Sequence, residues 1–345
     1  NRRFHSPVAA APDAQPLLLT TIDAEESFDW GQPFSRAATD VQAMGCQHLA
    51  HRVFDRHGVV PIYLADYPVA TQDAGRAPLL ELLQDGRCEI GAQLHPWVTP
   101  PFLEEVNERN SYVANLPTGL EFEKARHLTE ALEAAFGTAP RVYRTGRFGA
   151  GRRTADILKR LGYLVDSSLS VCWPPEGSDR QPGLWSLTAR PHWIDRERTL
   201  LEMPVSAALV GRLARPWGRL IAPLVFHPLA QRLALGGAMS KFGLLERIRL
   251  SPEGMTLDEA KRLVRFMIAD GHRVFVLTYH SPSLAPGNTP YTRSEDDVRR
   301  FLDWLDAFYS FFREEVGGRP ATWREVRFGN AADAAPEPRH AAAPA

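Results

Sequence analysis

The chain has 345 residues, 44% of them hydrophobic, enough to bury one barrel-sized core or two smaller ones. A formal net charge of −1 excludes a general nucleic-acid binder. Cys46, Cys88 and Cys172 are odd in number, far apart and without a CxxC pair, which excludes a disulfide framework or a zinc knuckle and suits a reducing cytosol.

The N-terminal NRRFHSPVAAAPDAQP has basic residues with no apolar stretch behind them, and no tract is long enough to span a bilayer, so a cytoplasmic protein is expected, with residues 1–15 disordered. Seven short runs rich in β-branched or aliphatic residues then follow: PLLLTTID (16–23), VVPIYLADY (59–67), CEIGAQLH (88–95), RVYRTG (141–146), YLVDSS (163–168), TLLEMPVS (199–206) and RVFVLTYH (273–280). Between them, helical spacing appears over 41–58, 120–137, 151–162 and 256–272, and the first three segments close on Gly58, Gly137 and Gly162. Strands alternating with helices imply a parallel sheet, either closed as a barrel or open and doubly wound. The runs end in Asp23, Asp66, His95, Arg144, Asp166, Glu202 and His280. A barrel gathers all such ends on one face, whereas an open sheet scatters them along an edge, so the pattern selects a (β/α) barrel over residues 16–328. No GxGxxG follows the first run, which removes a dinucleotide site. The tail from Gly329, residues 329–345, is Ala/Pro-rich and is expected to be disordered.

Chemistry-bearing residues sit at these ends. In TIDAEE, Asp23 and Glu25 are two apart and face the same way in an extended chain, so one can bind a cation while the other takes a proton; a solvated cap is the plain alternative. His95, with Gln93 two residues earlier, suits a borderline metal such as zinc, and equally a hydrogen-bonded structural role. His280 precedes a turn-rich loop and suits acid catalysis. Arg144, followed by the glycines of YRTGRFG, can orient a carboxylate or form a salt bridge. Trp30, Trp97 and Tyr291 are candidates for stacking on sugar faces or for packing.

The order TIDAEE, EIGAQLHPW, YRTGRFG, YLVDSS, LTYHSPSL resembles the polysaccharide deacetylase family, the NodB-homology carbohydrate esterases, and within it the WalW-like branch. The resemblance implies a distorted (β/α)7 barrel that removes N-acetyl groups from an amino sugar in surface-polysaccharide or lipopolysaccharide synthesis. It implies Asp23 as base, His280 as acid, and Arg144 and Asp166 as supports. Glu25, His95 and Gln93 would be ligands of a divalent metal, zinc by the family resemblance, with Arg147 and Phe148 among the substrate-binding residues. The oxyanion would be held by that metal and by backbone N–H groups near Phe148 or Thr99. The substrate would be an amino-sugar, nucleotide-sugar or lipid-linked glycan. Two positions depart from the family pattern: Ala24 follows Asp23 in place of a second aspartate, and Gln93 and Trp97 stand where two histidines are usual. A catalytically inactive glycan-binding barrel and a metal-independent amidase therefore stay open.

A basic, apolar segment within 207–255 fits none of the repeats. Residues 211–250 hold Arg212, Arg215, Arg219, Arg232, Lys241, Arg247 and Arg249 against the single acid Glu246. It reads either as a peripheral membrane contact or as an insertion that lends cations to a phosphate-bearing substrate, and Pro216, Pro223 and Pro228 argue against one continuous amphipathic helix.

Overall fold

In the computed structural model, residues 6–8, 10–11, 13–29, 31–173, 189–226 and 235–329 are described. Their strands are β1 (Ser6–Pro7), β2 (Leu17–Ala24), β3 (Ile62–Ala65), β4 (Glu89–Leu94), β5 (Val142–Thr145), β6 (Val165–Asp166), β7 (His192–Trp193), β8 (Leu201–Glu202), β9 (Ala207–Val210), β10 (Glu246–Arg249), β11 (Val274–His280) and β12 (Arg319–Pro320). Each expected run contains one strand, and these seven are parallel neighbours in the order β11-β2-β3-β4-β5-β6-β8. Their apolar runs are near-continuous because both faces of a parallel sheet are covered.

The sheet curls into a half-barrel. β7 and β1 extend it antiparallel beyond β8, and β12 lies against the start of β2. Beyond β8, irregular bonds reach back toward β11: the Ser206 N–H donates to the Val276 carbonyl at 3.1 Å, Leu250 N–H to Ser206 O at 2.8 Å, and Thr278 N–H to Leu250 O at 3.1 Å. Between these elements β9 and β10 form a separate antiparallel ribbon, which begins the basic insertion.

Strand alternation sorts the side chains. Leu19, Val142, Val165, Leu201 and Val276 pack inside the curl, while Leu18, Tyr63, Tyr143 and Phe275 pack under the helices. Continuing the inner parity toward the strand ends gives Thr21 and Asp23 on β2, Arg144 on β5, and Thr278 and His280 on β11. The interior is thus apolar at one end and polar at the other.

The expected helices appear as Gln47–His57, Thr118–Phe136, Thr154–Arg160 and Leu257–Ala269. Gly58 and Gly137 end the first two in the left-handed conformation, at φ 66° and 74°. Helices Asp73–Gln84 and Glu295–Glu314 were not expected. The insertion is not one continuous helix: Ala214–Val225, which includes Pro216 and Pro223, and Leu235–Lys241 are separate helices, followed by β10. Trp217, Leu220 and Leu224, on one face of the first of these, are 56%, 69% and 72% exposed. Among the described residues no helix is long and apolar enough to cross a membrane. Trp30, Arg232, Pro228, residues 1–5 and the tail 330–345 lie outside the described residues.

Candidate active site

Arg144 is the hub of the polar end. Fully buried, it spends all five guanidinium N–H groups inside the sheet. Nη1 donates to Asp23 Oδ1 and, at 2.8 Å, to Thr278 Oγ1; Nη2 donates to Thr21 Oγ1 at 2.9 Å and Ser167 Oγ at 3.0 Å; Nε donates to the Ser167 carbonyl at 3.1 Å. Asp23 is thereby fixed in orientation. His280 is its register partner on β11, and its Nε2 stands 3.8 Å from Asp23 Oδ2.

Glu253, in the loop after β10, holds His280 from the other side. Its Oε2 accepts from His280 Nδ1 at 2.7 Å, and its Oε1 accepts from the His280 backbone N–H at 3.0 Å and the Ser283 hydroxyl at 2.5 Å. Burial alone would lower the His280 pKa, but the carboxylates of Glu253, Glu25 and Asp23 more than reverse this and hold it up at about 10. The imidazole is therefore charged at neutral pH, with Nε2 as the proton that faces Asp23.

The second cluster surrounds His95. Its Nδ1 donates to Glu26 Oε2 at 2.8 Å, so its Nε2 is left toward Glu25 Oε2, 3.5 Å away. Gln93 Nε2 donates to the same Glu25 oxygen at 3.1 Å. Behind them, Glu26 Oε1 accepts from Trp97 Nε1 at 2.7 Å, and Asp66 accepts from the Glu26 and Val69 N–H groups at 2.8 Å each. Burial pushes Glu25 up to about 7, Glu26 up to about 8, and Asp66 well above the carboxylate range.

The donor set around His95 suits the divalent cation that the sequence pattern implies. Glu26, Asp66 and His95 bring candidate ligand atoms within 4.8 Å of one another. Yet both oxygens of Glu26 and both of Asp66 are already accepting hydrogen bonds, which makes these two the support behind His95. A metal-bound imidazole ordinarily donates its other N–H to such a carboxylate. Toward the cavity the set is Glu25, His95 Nε2 and Gln93, whose Oε1 is buried with no hydrogen-bond partner. That orphaned oxygen is what a cation would satisfy.

Above these groups opens a cavity of about 900 Å³, lined by Glu25, His95, Glu253 and His280 at its floor. Arg147, Phe148, Trp97 and Tyr291, named from the sequence, also line it. Asp23, Arg144 and Gln93 lie just beneath. Gly146 explains part of the YRTGRFG motif, because a Cβ there would overlap the His95 ring.

Similarity to known proteins is faint. No family model and no curated protein matches the chain. Among solved structures, the chain is similar to a protein from Mycobacterium smegmatis described as a polysaccharide deacetylase, at 18% identity over 93% of this chain and 98% of the other, with a TM-score of 0.47. It is also similar to a peptidoglycan N-acetylglucosamine deacetylase, at 12% identity over 94% and 91%, TM-score 0.44. A third similar structure is a CE4 family pseudoenzyme from Bacillus anthracis, at 10% identity over 92% and 66%, TM-score 0.41. At these levels the side chains must carry the functional argument.

Several sequence-derived roles change in detail. Asp166 follows the inward-facing Val165, so its parity aims it at the helical layer; it accepts from Ser168 N–H at 3.1 Å and from the Ser168 hydroxyl, which in turn accepts from Thr145 N–H at 2.9 Å. It props the strand end beside Arg144 from outside the cavity. Trp97 is packed, stacked on His95 at 4.3 Å and tilted against Phe34 at 4.6 Å, which leaves little face for a sugar. The Phe148 and Thr99 N–H groups, expected to hold an oxyanion, donate to Thr145 O at 3.0 Å and His95 O at 3.1 Å. Glu253 and Trp173 were missed as cavity residues, whereas Arg247 and Arg249, which also line the cavity, come from the insertion read in sequence as a source of cations. They belong to loops and to the insertion, where no strand periodicity points inward.

Proposed function

We propose that the protein is a hydrolase that removes the N-acetyl group from an amino sugar, releasing acetate and a free amine, on a distorted barrel of the (β/α)7 kind. The observation that carries this is the Asp23 and His280 pair on neighbouring strands, each clamped by an opposite charge, Arg144 and Glu253, with His280 at the cavity floor and Asp23 just beneath it. Asp23 takes a proton from the attacking water as its oxygen bonds to the acyl carbon. His280 gives its Nε2 proton to the nitrogen as the carbon–nitrogen bond breaks, since an amine is too basic to leave as an anion. A divalent cation held by Glu25, His95 and Gln93 Oε1, zinc being the ion the family pattern suggests, would supply Lewis-acid polarisation of the acyl carbonyl. Arg147, cradled by Tyr112 at 4.2 Å and paired to Glu108 at 2.6 Å, walls the cavity, and Tyr291 at its rim offers a sugar-stacking face.

The biosynthetic setting, assembly of a surface polysaccharide, comes with the WalW-like resemblance. The exposed Trp217, Leu220 and Leu224 ridge, flanked by the exposed Arg212 and Arg215, supports a peripheral contact with an anionic membrane. The test is acetate release from N-acetylated oligosaccharides and sugar nucleotides by the wild type and by Asp23→Asn. Turnover confined to the wild type supports the reading, and equal turnover removes Asp23 from the chemistry. Sugar binding without release in either protein would favour the inactive barrel, a reading that the missing histidine motivates.

A further inference from the structure

Arg247 and Arg249 stand two apart on β10, so both leave the same face of the β9–β10 ribbon, and both line the cavity. The Trp173 ring serves both: the Arg247 guanidinium lies 5.2 Å from its centre and that of Arg249 4.7 Å. Phe226 lies 4.2 Å from Arg247, and Phe148 lies 5.3 Å from Arg249. Aromatic faces on the flat sides of a guanidinium fix its plane; Arg247 Nη1 also donates to the Cys172 carbonyl at 3.5 Å.

Among the described residues no carboxylate pairs directly with Arg249, which donates to Ser170 Oγ at 3.1 Å and whose Nε is buried without a hydrogen-bond partner. The carboxylates nearest the cavity are engaged elsewhere: Asp23 with Arg144, Glu253 with His280, Glu25 with Gln93, Glu108 with Arg147. Burial pulls the Arg249 pKa below its usual value despite Tyr291, Glu253 and Asp23 nearby. A partly desolvated cation without a carboxylate is costly unless an anion arrives to complete the site.

We propose that Arg247 and Arg249 form an anion subsite for a phosphoryl group, so that the sugar hydrolysed at Asp23 and His280 carries a phosphate or diphosphate. This deepens the deacetylase reading and rests on it. The Arg249 guanidinium, with its unpartnered Nε, the Ser170 and Ser251 hydroxyls and the second positive charge of Arg247 suit the several oxygens and double charge of a diphosphate better than the single charge of one carboxylate. A cavity of about 900 Å³ has room for a sugar and its phosphates.

The test is calorimetric titration of the full chain, in chelator, with inorganic pyrophosphate, a nucleoside diphosphate, a short prenyl diphosphate and glucuronate. Pyrophosphate should bind the wild type, more tightly at low salt, and bind Arg247→Gln and Arg249→Gln about tenfold or more weakly. Tighter binding of the nucleoside or of the prenyl compound identifies the carrier. No pyrophosphate binding, equal binding by both variants, or glucuronate binding as tight as pyrophosphate would overturn the subsite. Melting curves check both variants, and if Arg249→Gln fails to fold, Arg247→Gln decides. Arginine-dependent pyrophosphate binding without acetate release from any phosphorylated sugar would keep the subsite and sink the deacetylase reading. Acetate release without arginine-dependent binding would do the reverse.

Discussion

Glu253→Gln isolates the group that prepares the proposed acid, because it keeps the shape of the side chain and removes its charge. In the wild type the carboxylate accepts from His280 twice, at 2.7 and 3.0 Å, and is the largest influence raising the imidazole pKa, to about 10. A hydrogen bond to a charged group contributes about 1.5–3 kcal/mol. Since about 1.4 kcal/mol moves a pKa by one unit, His280 in the variant should titrate roughly 1–2 units lower. Activity that needs protonated His280 then falls on the alkaline side near pH 10 in the wild type and near about pH 8–9 in the variant. Stability follows the same sign. The folded pKa lies above the unfolded value of 6.5, so the His280 contribution is complete below that value and is lost as pH rises through about 10. The melting-temperature gap between the two proteins should accordingly close as pH approaches 10. The assays are the pH profile of kcat/KM from acetate release and an NMR titration of the His280 ring, which needs no substrate. An alkaline limb and a ring titration that both stay in place would refute the reasoning.

Three further outcomes test the rest of the site. Arg144→Met should cost about 3–5 kcal/mol of stability, by leaving Asp23 buried without its partner, and denaturant unfolding measures this. Gly146→Ala should push the His95 ring out of place and lower zinc affinity at least tenfold with only a modest change in melting temperature; unchanged zinc affinity would remove Gly146 from the site's design. Gln93→His should raise bound zinc, measured by elemental analysis with and without chelator, since imidazole is the better ligand; zinc at background in both proteins, with chelator-resistant activity, would end the metal-assisted proposal.

The sheet was largely legible because burial on both faces demands apolar runs, and each of the seven runs in sequence contains one of the parallel strands. Their polar ends were legible too, but not which way each end points. Asp23, Arg144 and His280 share the inner parity of Leu19, Val142 and Val276, whereas Asp166 follows Val165 by one residue and turns outward. Helix Glu295–Glu314 was overlooked although Ser294 and Asp297 form a capping box at its start. Helix Asp73–Gln84 was masked by Gly75 and Pro78, which read as breakers. Glu253 gave no signal at all: it lies in a short loop after β10, and its closeness to His280 exists only once Leu250 has bonded to Thr278.

Arg144 also ties the site to the architecture. Its five hydrogen bonds reach Thr21 and Asp23 on β2, Thr278 on β11 and Ser167 after β6, so none of these segments can detach from it without exposing an unsatisfied guanidinium. The polar floor of the cavity and the least exchangeable part of the sheet are then one cooperative unit. Amide exchange should find Thr21, Arg144 and Thr278 released only by global unfolding.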